Sequence, residues 1–292
     1  MLDVGYLDIV IARNCQLNCR GCITFSDHNL SKGYVKVEDA IPWLEIWSKR
    51  INPGTLHLFG GEPLMHPDLL NWVKITSKFF KKTIDIQTNG IKLSSLNYDE
   101  LSQMILNHNV NFAISIHSNE DWYKEKIDQA IKVVTSIIGP GTWQQINKNT
   151  KLYKGLKSHT ITLNSATTLP WVSHYKGFEH SLQPGNNYDS EHYIASHDYC
   201  EAKEFVQLYN GVLYKCPALA VLKETLSKYN HTNNPIWNPW LNYKPLDTNC
   251  SDEELKTWLQ IQTKPERYCN MCFGGHGDKN LHQLKVKLTH DH

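Results

Sequence analysis

The sequence predicts an α/β fold in which parallel strands and helices form a partial (β/α)6 barrel of the TIM type. Three observations predict it. Short apolar runs recur along the first 168 residues, stretches with helical periodicity separate them, and one strand–helix unit takes about 28 residues. Parallel units cross over with the same hand, so a row of them curls toward a barrel. The five strands found in this stretch are too few to close an eight-stranded barrel.

The five predicted strands are short runs rich in β-branched and apolar residues. They are Tyr6–Ala12, Thr55–Phe59, Thr83–Gln87, Asn111–Ile116 and Thr160–Leu163. A helix is predicted between each pair of neighbours. In the first helix, Ile41, Leu44 and Trp47 fall on one face, as expected of a helix that covers a sheet.

The composition changes after the fifth strand. Residues 171–199 are rich in aromatic residues, His, Gly and Asn, and residues 231–250 are rich in Asn, Pro and Trp. We expect ordered loops or a lid in both segments rather than helices. Between them, residues 204–215 predict a β-hairpin that turns at Asn210-Gly211. A last strand is predicted at 285–288.

Composition and charge exclude several classes of protein. The chain has 292 residues, 40% of them hydrophobic and 20% charged, with a formal net charge of +1. This balance is unlike that of a disordered tail, and it gives no indication of nucleic-acid binding. We expect no membrane span, because no apolar run approaches about 18 residues. The N-terminal residues carry Asp3 and Asp8 and lack a basic region, so we expect a strand there rather than a signal peptide.

Eight cysteines are present, and their clustering favours metal binding over disulfides in a reducing cytoplasm. Cys15, Cys19 and Cys22 follow the first strand with the spacing C-x3-C-x2-C. Three thiolates of one loop can hold three irons of a cubane cluster and leave the fourth iron open to a chelating ligand. Most iron–sulfur clusters use four cysteines. A structural zinc loop with a fourth ligand elsewhere is the alternative.

Small or polar residues follow the other predicted strands, on the edge where parallel α/β folds build their sites. After the second strand comes Gly60-Gly61-Glu62-Pro63, in which the glycines allow backbone to approach a ligand and Glu62 offers a carboxylate to an ammonium. Asn89 follows the third strand, Ser115 and His117 end the fourth, and Asn164 ends the fifth. Each alone is typical of a turn, but their coincidence predicts a site.

This combination of motifs over residues 6–168 resembles the radical S-adenosylmethionine (radical SAM) superfamily. The resemblance implies that Cys15, Cys19 and Cys22 bind a [4Fe-4S] cluster whose open iron chelates SAM. It implies that Gly60 to Pro63 contact the methionyl amine. The candidates for the carboxylate, ribose and adenine of SAM are Asn89, Ser115, His117 and Asn164. It also implies reductive cleavage of SAM to a 5′-deoxyadenosyl radical that abstracts a substrate hydrogen atom, with an electron donor such as flavodoxin or ferredoxin.

A second group of cysteines lies in the C-terminal part. Cys200, Cys216, Cys269 and Cys272 are enough for a closed tetrathiolate site of zinc or an iron–sulfur cluster. The spacing C-x10-G-x4-C, with the later Cys-x-x-Cys, is similar to the twitch subdomain, the shortened SPASM domain of radical SAM enzymes. The resemblance implies an auxiliary [4Fe-4S] cluster on these four residues.

The resemblance and the change in composition together predict three parts. These are a radical SAM partial-barrel core at 1–170, a segment at 171–199 that completes the barrel or forms a lid, and a small iron–sulfur subdomain of the twitch type at 200–292.

Several functions fit these residues. The first is dehydrogenation of a small polar substrate, such as an aminosugar or polyol, with the auxiliary cluster as electron acceptor. The second is epimerisation with Cys250 as hydrogen-atom donor, for which the alternative is an ordinary part-buried thiol. The third is modification of a peptide or other macromolecule, and the last is a metal-stapled binding module without enzymatic activity. The histidines at 174, 180, 192 and 197 are candidates for an acid–base partner in the predicted lid.

Overall fold

The computed structural model describes residues 1–17, 19, 22–26, 33–165, 184–200 and 202–272. Several sequence predictions lie outside these ranges, namely the strand at 285–288, the first part of the predicted lid, and the candidate residues His174 and His180. The described residues form a sheet of nine strands in the order β5-β6-β7-β4-β3-β2-β1-β8-β9. The strands are β1 (Leu2–Ala12), β2 (Ile51–Gly60), β3 (Ile84–Thr88), β4 (Val110–Ile116), β5 (Thr142–Asn147), β6 (Thr150–Lys154), β7 (Thr160–Ser165), β8 (Phe205–Tyr209) and β9 (Val212–Tyr214).

The predicted partial barrel is confirmed. The five predicted strands correspond to β1, β2, β3, β4 and β7, and each pairs in parallel with its neighbour. The sixth parallel strand is β8, which pairs with the other edge of β1. Antiparallel strands β6 and β9 flank the six on either side, so the sheet stays open rather than closing on itself.

The hairpin predicted in 204–215 is confirmed as β8 and β9. It turns at Asn210 and Gly211, whose φ angles are +49° and +82°. Two successive positive φ values are typical of a type I′ turn, for which Asn-Gly is the preferred pair. The sheet therefore continues past residue 200, and the division of the chain into three parts stays a prediction.

The hairpin of β5 and β6 was missed by the sequence prediction. All six residues of β5 are exposed, because β5 is the edge strand and neither of its faces is covered. A strand without a buried face has no alternation of apolar and polar residues, which is the signal that the prediction depended on.

Helices cover both faces of the sheet. They are α1 (Val37–Arg50), α2 (Leu69–Phe80), α3 (Tyr98–His108), α4 (Asp121–Ile138), α5 (His192–Asp198), α6 (Pro217–Lys228), α7 (Asn238–Leu241) and α8 (Asp252–Gln262). The main core packs α1 to α4 against one face, where Leu7 and Ile9 of β1 are completely buried. Val10, on the opposite face of β1, belongs to a second core with Leu219 and Val221 of α6. Alternate side chains along β1 thus pack against two different layers of helices, one on each face of the sheet.

Two segments predicted to lack helices contain them, so those predictions are wrong. Helix α5 lies within 171–199, and α7 with a preceding 3-10 turn lies within 231–250. The proline-rich segment is helical because Pro235 and Pro239 occupy first-turn positions, where a missing N–H costs nothing. Trp237 and Trp240 are buried there and provide the packing that holds so short a helix. Within the described residues, none of the helices has the length and apolar character needed to cross a membrane.

Candidate functional site

Three of the cysteines lie on the loop that follows β1, at the edge of the sheet where the parallel strands end. Cys15 Sγ accepts hydrogen bonds from the Leu17 amide at 3.4 Å and from Asn89 Nδ2 at 3.7 Å. The Cys22 amide donates to the Cys19 carbonyl at 3.2 Å, which turns the loop back. Burial raises the pKa of Cys15, and the nearby charges of Glu62 and Cys22 raise it further. Cys15 and Cys22 are therefore close enough to interact electrostatically.

The loop after β2 approaches the cysteine loop through its backbone. The Gly61 amide donates to the Ala12 carbonyl at 2.8 Å, and the Glu62 amide donates to the Asn14 carbonyl at 2.7 Å. A Cβ on Gly60 would lie 2.1 Å from the Ala12 oxygen, and a Cβ on Gly61 would lie 2.4 Å from the Asn14 oxygen. Both glycines are needed because no side chain fits between the two loops.

Glu62 is completely buried, and hydrogen bonds from the chain itself occupy both of its carboxylate oxygens. Oε1 accepts from the Leu64 amide at 3.0 Å and from Thr88 Oγ1 at 2.6 Å, and Oε2 accepts from the Asn89 amide at 2.8 Å. Burial raises the pKa of Glu62 to about 7, although these hydrogen bonds favour the carboxylate. Glu62 thus fastens the loop after β2 to the loop after β3, and its predicted contact with the methionyl amine stays a prediction.

Asn89 connects the loop after β3 to the cysteine loop. Its Oδ1 accepts from Gln16 Nε2 at 3.0 Å, while its Nδ2 faces Cys15 Sγ. Its backbone carbonyl accepts from the Tyr123 hydroxyl at 2.8 Å, and that hydroxyl also lies 3.0 Å from the Ser115 carbonyl. Tyr123, in the first turn of α4, was missed by the sequence prediction. An aromatic residue at the start of an amphipathic helix gives no signal that its hydroxyl joins two strand ends.

The remaining candidate SAM contacts lie along β4 and β7. Ser115 and Asn164 are register partners on these adjacent strands. Asn164 Oδ1 accepts from Thr150 Oγ1 at 3.1 Å. Burial lowers the pKa of His117 to about 4, so its imidazole is neutral at physiological pH. The structure therefore brings these residues to the same edge of the sheet as the cysteine loop.

A row of polar side chains crosses the face of the sheet opposite α1 to α4. Gln207, Asp8, His57, Asp85 and Asn111 are register partners on five adjacent strands, and we call them the polar row. Gln207 Nε2 donates to Asp8 Oδ2 at 2.6 Å, and Asp8 Oδ1 lies 2.6 Å from His57 Nδ1. Asn111 Nδ2 donates to Asp85 Oδ1 at 3.1 Å. Burial is the largest influence on His57 and opposes its protonation, but the charge and hydrogen bond of Asp8 together with the charge of Asp85 outweigh it and raise the pKa of His57.

The four C-terminal cysteines come together between β9, α5 and the 3-10 turn Arg267–Met271. Burial raises the pKa of all four, to about 11 at Cys200 and about 12 at Cys216. The second cause at Cys272 is its interaction with the other three thiols. The four sulfurs thus form one electrostatic cluster.

Backbone and amide groups hold Cys272 in this cluster. Its amide donates to the Cys269 carbonyl at 3.1 Å. Its own carbonyl accepts from Ser196 Oγ of α5 at 3.0 Å and from Asn186 Nδ2. Asn270, between the two cysteines, donates through Nδ2 to the Tyr188 carbonyl at 2.7 Å. The described part of the predicted lid therefore packs against the second cysteine group.

Both cysteine groups fit an iron–sulfur cluster by the chemistry of their donors. All eight cysteines of the chain are thiols. Three on one loop and four in the second group match a cluster with one open iron and a closed cluster, respectively. Among the described residues, no set of three or more His, Cys, Asp or Glu side chains is arranged to hold a single metal ion. A cubane cluster differs from such a site because each thiolate binds a different iron.

Cys250 lies far from the first cysteine loop. Its Sγ accepts from Arg50 Nη1 at 3.3 Å, and Arg50 immediately precedes β2. The glycines lie at the other end of β2, ten residues long, which spans roughly 30 Å. The role of Cys250 as a hydrogen-atom donor stays a prediction, and the structure places that thiol at the end of β2 opposite the glycines.

Two of the four candidate histidines are among the described residues, both on α5. His197 is buried, and its backbone carbonyl accepts a hydrogen bond from the Cys200 N–H at 3.0 Å. Burial lowers the pKa of His197. His192 is exposed. Of the two, only His197 lies beside a cysteine group.

Comparison with known proteins agrees with the family suggested by the motifs. The family model of the radical SAM superfamily matches residues 9–170, more than half of the chain. The structure of BtrN in complex with AdoMet and 2-DOIA is 13% identical, with 92% of each chain covered and a TM-score of 0.47. HydG, a maturase of the [FeFe]-hydrogenase, is 10% identical, with 45% of this chain and 33% of HydG covered and a TM-score of 0.32. A comparison with curated proteins gave no match. On the match over residues 9–170, the chain belongs to the radical SAM superfamily.

Proposed function

We propose that this enzyme oxidises a small polar substrate, such as an aminosugar or a polyol, by dehydrogenation. The radical SAM superfamily uses a [4Fe-4S] cluster and SAM. When bound, this pair supplies a 5′-deoxyadenosyl radical that removes a hydrogen atom from the substrate. The electron that opens the reaction comes from a small redox protein such as flavodoxin or ferredoxin.

The residues around the cysteine loop have distinct tasks in this proposal. Cys15, Cys19 and Cys22 hold the first cluster. Gly60 and Gly61 let backbone groups stand beside it, since their lack of side chains brings the two loops together. Glu62 and Asn89 keep these loops in register through hydrogen bonds. Such rigid positioning matters because a primary-carbon radical attacks whatever lies nearest.

Oxidation of an alcohol to a carbonyl requires the loss of two electrons and two protons. The radical removes one hydrogen atom, so one electron and one proton remain to be removed. The single observation that carries the proposal is the second cysteine group, in which Cys200, Cys216, Cys269 and Cys272 interact as one cluster of thiols. A closed [4Fe-4S] cluster there, of the twitch type, would supply an electron acceptor without an open iron for a ligand.

The polar row supports a polar substrate. Asp85, Asn111 and Gln87 are partly exposed on the face of the sheet where β1 carries Asp8. His57 Nε2 lies 3.4 Å from Gln87 Nε2 and 4.0 Å from Asp85 Oδ2. These groups could accept a proton or bind hydroxyl and amino groups.

The other functions considered from the sequence have less support. Membership of the superfamily makes the chain an enzyme, so a binding module without activity is not kept. Epimerisation has less support because Cys250 lies beside Arg50, at the end of β2 opposite the cysteine loop. Modification of a peptide depends on the segment 171–199, and it stays an alternative.

The test begins with iron and SAM. Anaerobically purified protein should carry about eight irons per chain, four in each cluster. After reduction it should convert SAM to 5′-deoxyadenosine. Cys269→Ala should lose about half of the iron and keep uncoupled 5′-deoxyadenosine formation, while oxidation of an aminosugar or polyol stops.

Cys250→Ala is the matched control and should retain both activities. A protein with about four irons, or a Cys269→Ala variant that still oxidises its substrate, would show that the second group is no electron acceptor.

A further inference from the structure

Lys215 places a buried ammonium beside the second cysteine group. It stands between β9 and Cys216, and its side chain is 6% exposed. Nζ donates to the Lys264 carbonyl at 2.6 Å and to the Gln262 carbonyl, and it pairs with Glu266 Oε2 at 2.8 Å. Lysine is almost never fully buried unless it is paired, so the burial of this paired ammonium calls for an explanation.

The backbone of Lys215 is fixed as firmly as its side chain. Its amide donates to the Tyr243 hydroxyl at 3.0 Å, and its carbonyl accepts from Gln262 Nε2 at 3.4 Å. Gln262 also donates to the Phe205 carbonyl of β8 at 2.8 Å. The ammonium is therefore held at one place relative to Cys216.

The ammonium lies beside the residues that carry two of the cysteines. Lys215 directly precedes Cys216, and its ion-pair partner Glu266 accepts a hydrogen bond from the Cys269 amide at 2.8 Å through its backbone carbonyl. Glu266, its partner, is 27% exposed, so water screens this carboxylate more than it screens the buried ammonium.

A structural role alone would explain part of this geometry. The carbonyls of Gln262 and Lys264 lie at the end of α8, where carbonyls lack helical partners and attract a cation. An exposed lysine could make the same contacts without being buried. Binding the carbonyls at the end of α8 does not explain why the lysine lies directly before Cys216.

We propose that Lys215 sets the reduction potential of the auxiliary cluster, as a fixed positive charge that favours its reduced form. This inference rests on the proposed function, since it assumes a cluster on the four cysteines. A [4Fe-4S] cluster gains a negative charge on reduction, so a nearby cation stabilises the reduced form and raises the potential. Lys215 is therefore a positioning charge for electron transfer and touches no substrate.

The experiment measures the midpoint potential of the auxiliary cluster by EPR-monitored redox titration of the anaerobic, iron-loaded full chain. Lys215→Gln should shift the potential to more negative values, because it removes the charge and keeps a donor. Lys215→Arg keeps the charge and should stay near the wild-type potential. Glu266→Gln should shift the potential in the opposite direction, because the ammonium then acts alone. Lys264→Gln removes an exposed charge and is the matched control, expected to leave the potential unchanged.

The outcomes separate this inference from the proposed function. Iron content of the wild type is measured first, and about four irons instead of eight would remove the auxiliary cluster and with it the proposed function. With eight irons present, equal potentials in wild type, Lys215→Gln and Glu266→Gln would refute the role of Lys215 and leave the dehydrogenase intact. If Lys215→Gln does not fold, the shift in Glu266→Gln decides: a more positive potential supports the inference, and an unchanged one overturns it.

Discussion

The buried polar residues at the strand ends mainly form hydrogen bonds with other parts of the chain. Glu62 and Tyr123 are completely buried, and their polar atoms bond to loops after β2, β3 and β4. The sequence indicated Glu62 through its motif but suggested an open carboxylate. It gave no indication of Tyr123. Sequence position tells which strand a residue follows, whereas the partner of its side chain depends on the curvature of the whole sheet.

Tyr123→Phe should destabilise the protein by about 1–3 kcal/mol, because it removes the hydroxyl that donates to the buried Asn89 carbonyl and to the part-buried Ser115 carbonyl. Urea unfolding of anaerobically prepared protein measures this change. Tyr98→Phe is the control, since Tyr98 is 51% exposed, and it should unfold as the wild type does. Equal midpoints for Tyr123→Phe and wild type would contradict the tie between the two strand ends.

Gly61→Ala should abolish 5′-deoxyadenosine formation. The new Cβ would lie 2.4 Å from the Asn14 carbonyl oxygen, so the loop after β2 would have to move away from the cysteine loop. Gly5→Ala is the matched control, because its Cβ would meet its nearest atom at an ordinary 3.6 Å. Formation of 5′-deoxyadenosine is measured with chemically reduced enzyme and SAM. An active Gly61→Ala variant would mean that the close approach is not required.

At the scale of elements, the sequence predicted the strands that have at least one face buried against helices. β1 to β4 and β7 pack against helices, so their apolar residues recur in short buried runs. β5 has no buried face and was missed. The turn of the hairpin β8–β9 was predictable because Asn210-Gly211 specifies it locally. That β8 lies next to β1 was not predictable, since pairing between strands almost 200 residues apart depends on the assembled sheet.

The polar row gives a pH dependence to the pairing of β1 with β2. Asp8 raises the pKa of His57 in the folded chain despite burial, so the pair stabilises the fold below the ordinary histidine pKa. That contribution is lost as pH rises through the raised pKa. The difference in unfolding free energy between wild type and His57→Gln should therefore be larger at about pH 6 than at about pH 9.

Urea unfolding at the two pH values measures this difference. His192→Gln, at an exposed position on α5, is the control and should show no such change. A wild-type advantage over His57→Gln that stays constant with pH would argue that the pair is neutral throughout.

At the scale of the whole molecule, the C-terminal part completes the sheet that carries the first cysteine group. β8 pairs in parallel with β1 from Tyr6 to Ile9, and in the second cysteine group Cys200 lies shortly before β8 and Cys216 shortly after β9. One continuous sheet therefore links the loop that would hold the SAM cluster to the thiols of the second cysteine group. The boundary predicted at residue 200 rests on the resemblance to the twitch subdomain and on the change in composition, and it stays a prediction.

This continuity predicts that the two parts unfold together. The amides of β1 and β8 should exchange with deuterium at similar free energies of opening, because each strand's hydrogen bonds depend on the other. Leu208→Ala, at a completely buried position paired with Ile9, should cost about 2–5 kcal/mol and speed exchange in both strands. Leu156→Ala, at a site 57% exposed, is the control. If Leu208→Ala speeds exchange in β8 while β1 keeps its wild-type protection, the barrel and the C-terminal part are separate folding units, and the predicted division near residue 200 holds instead.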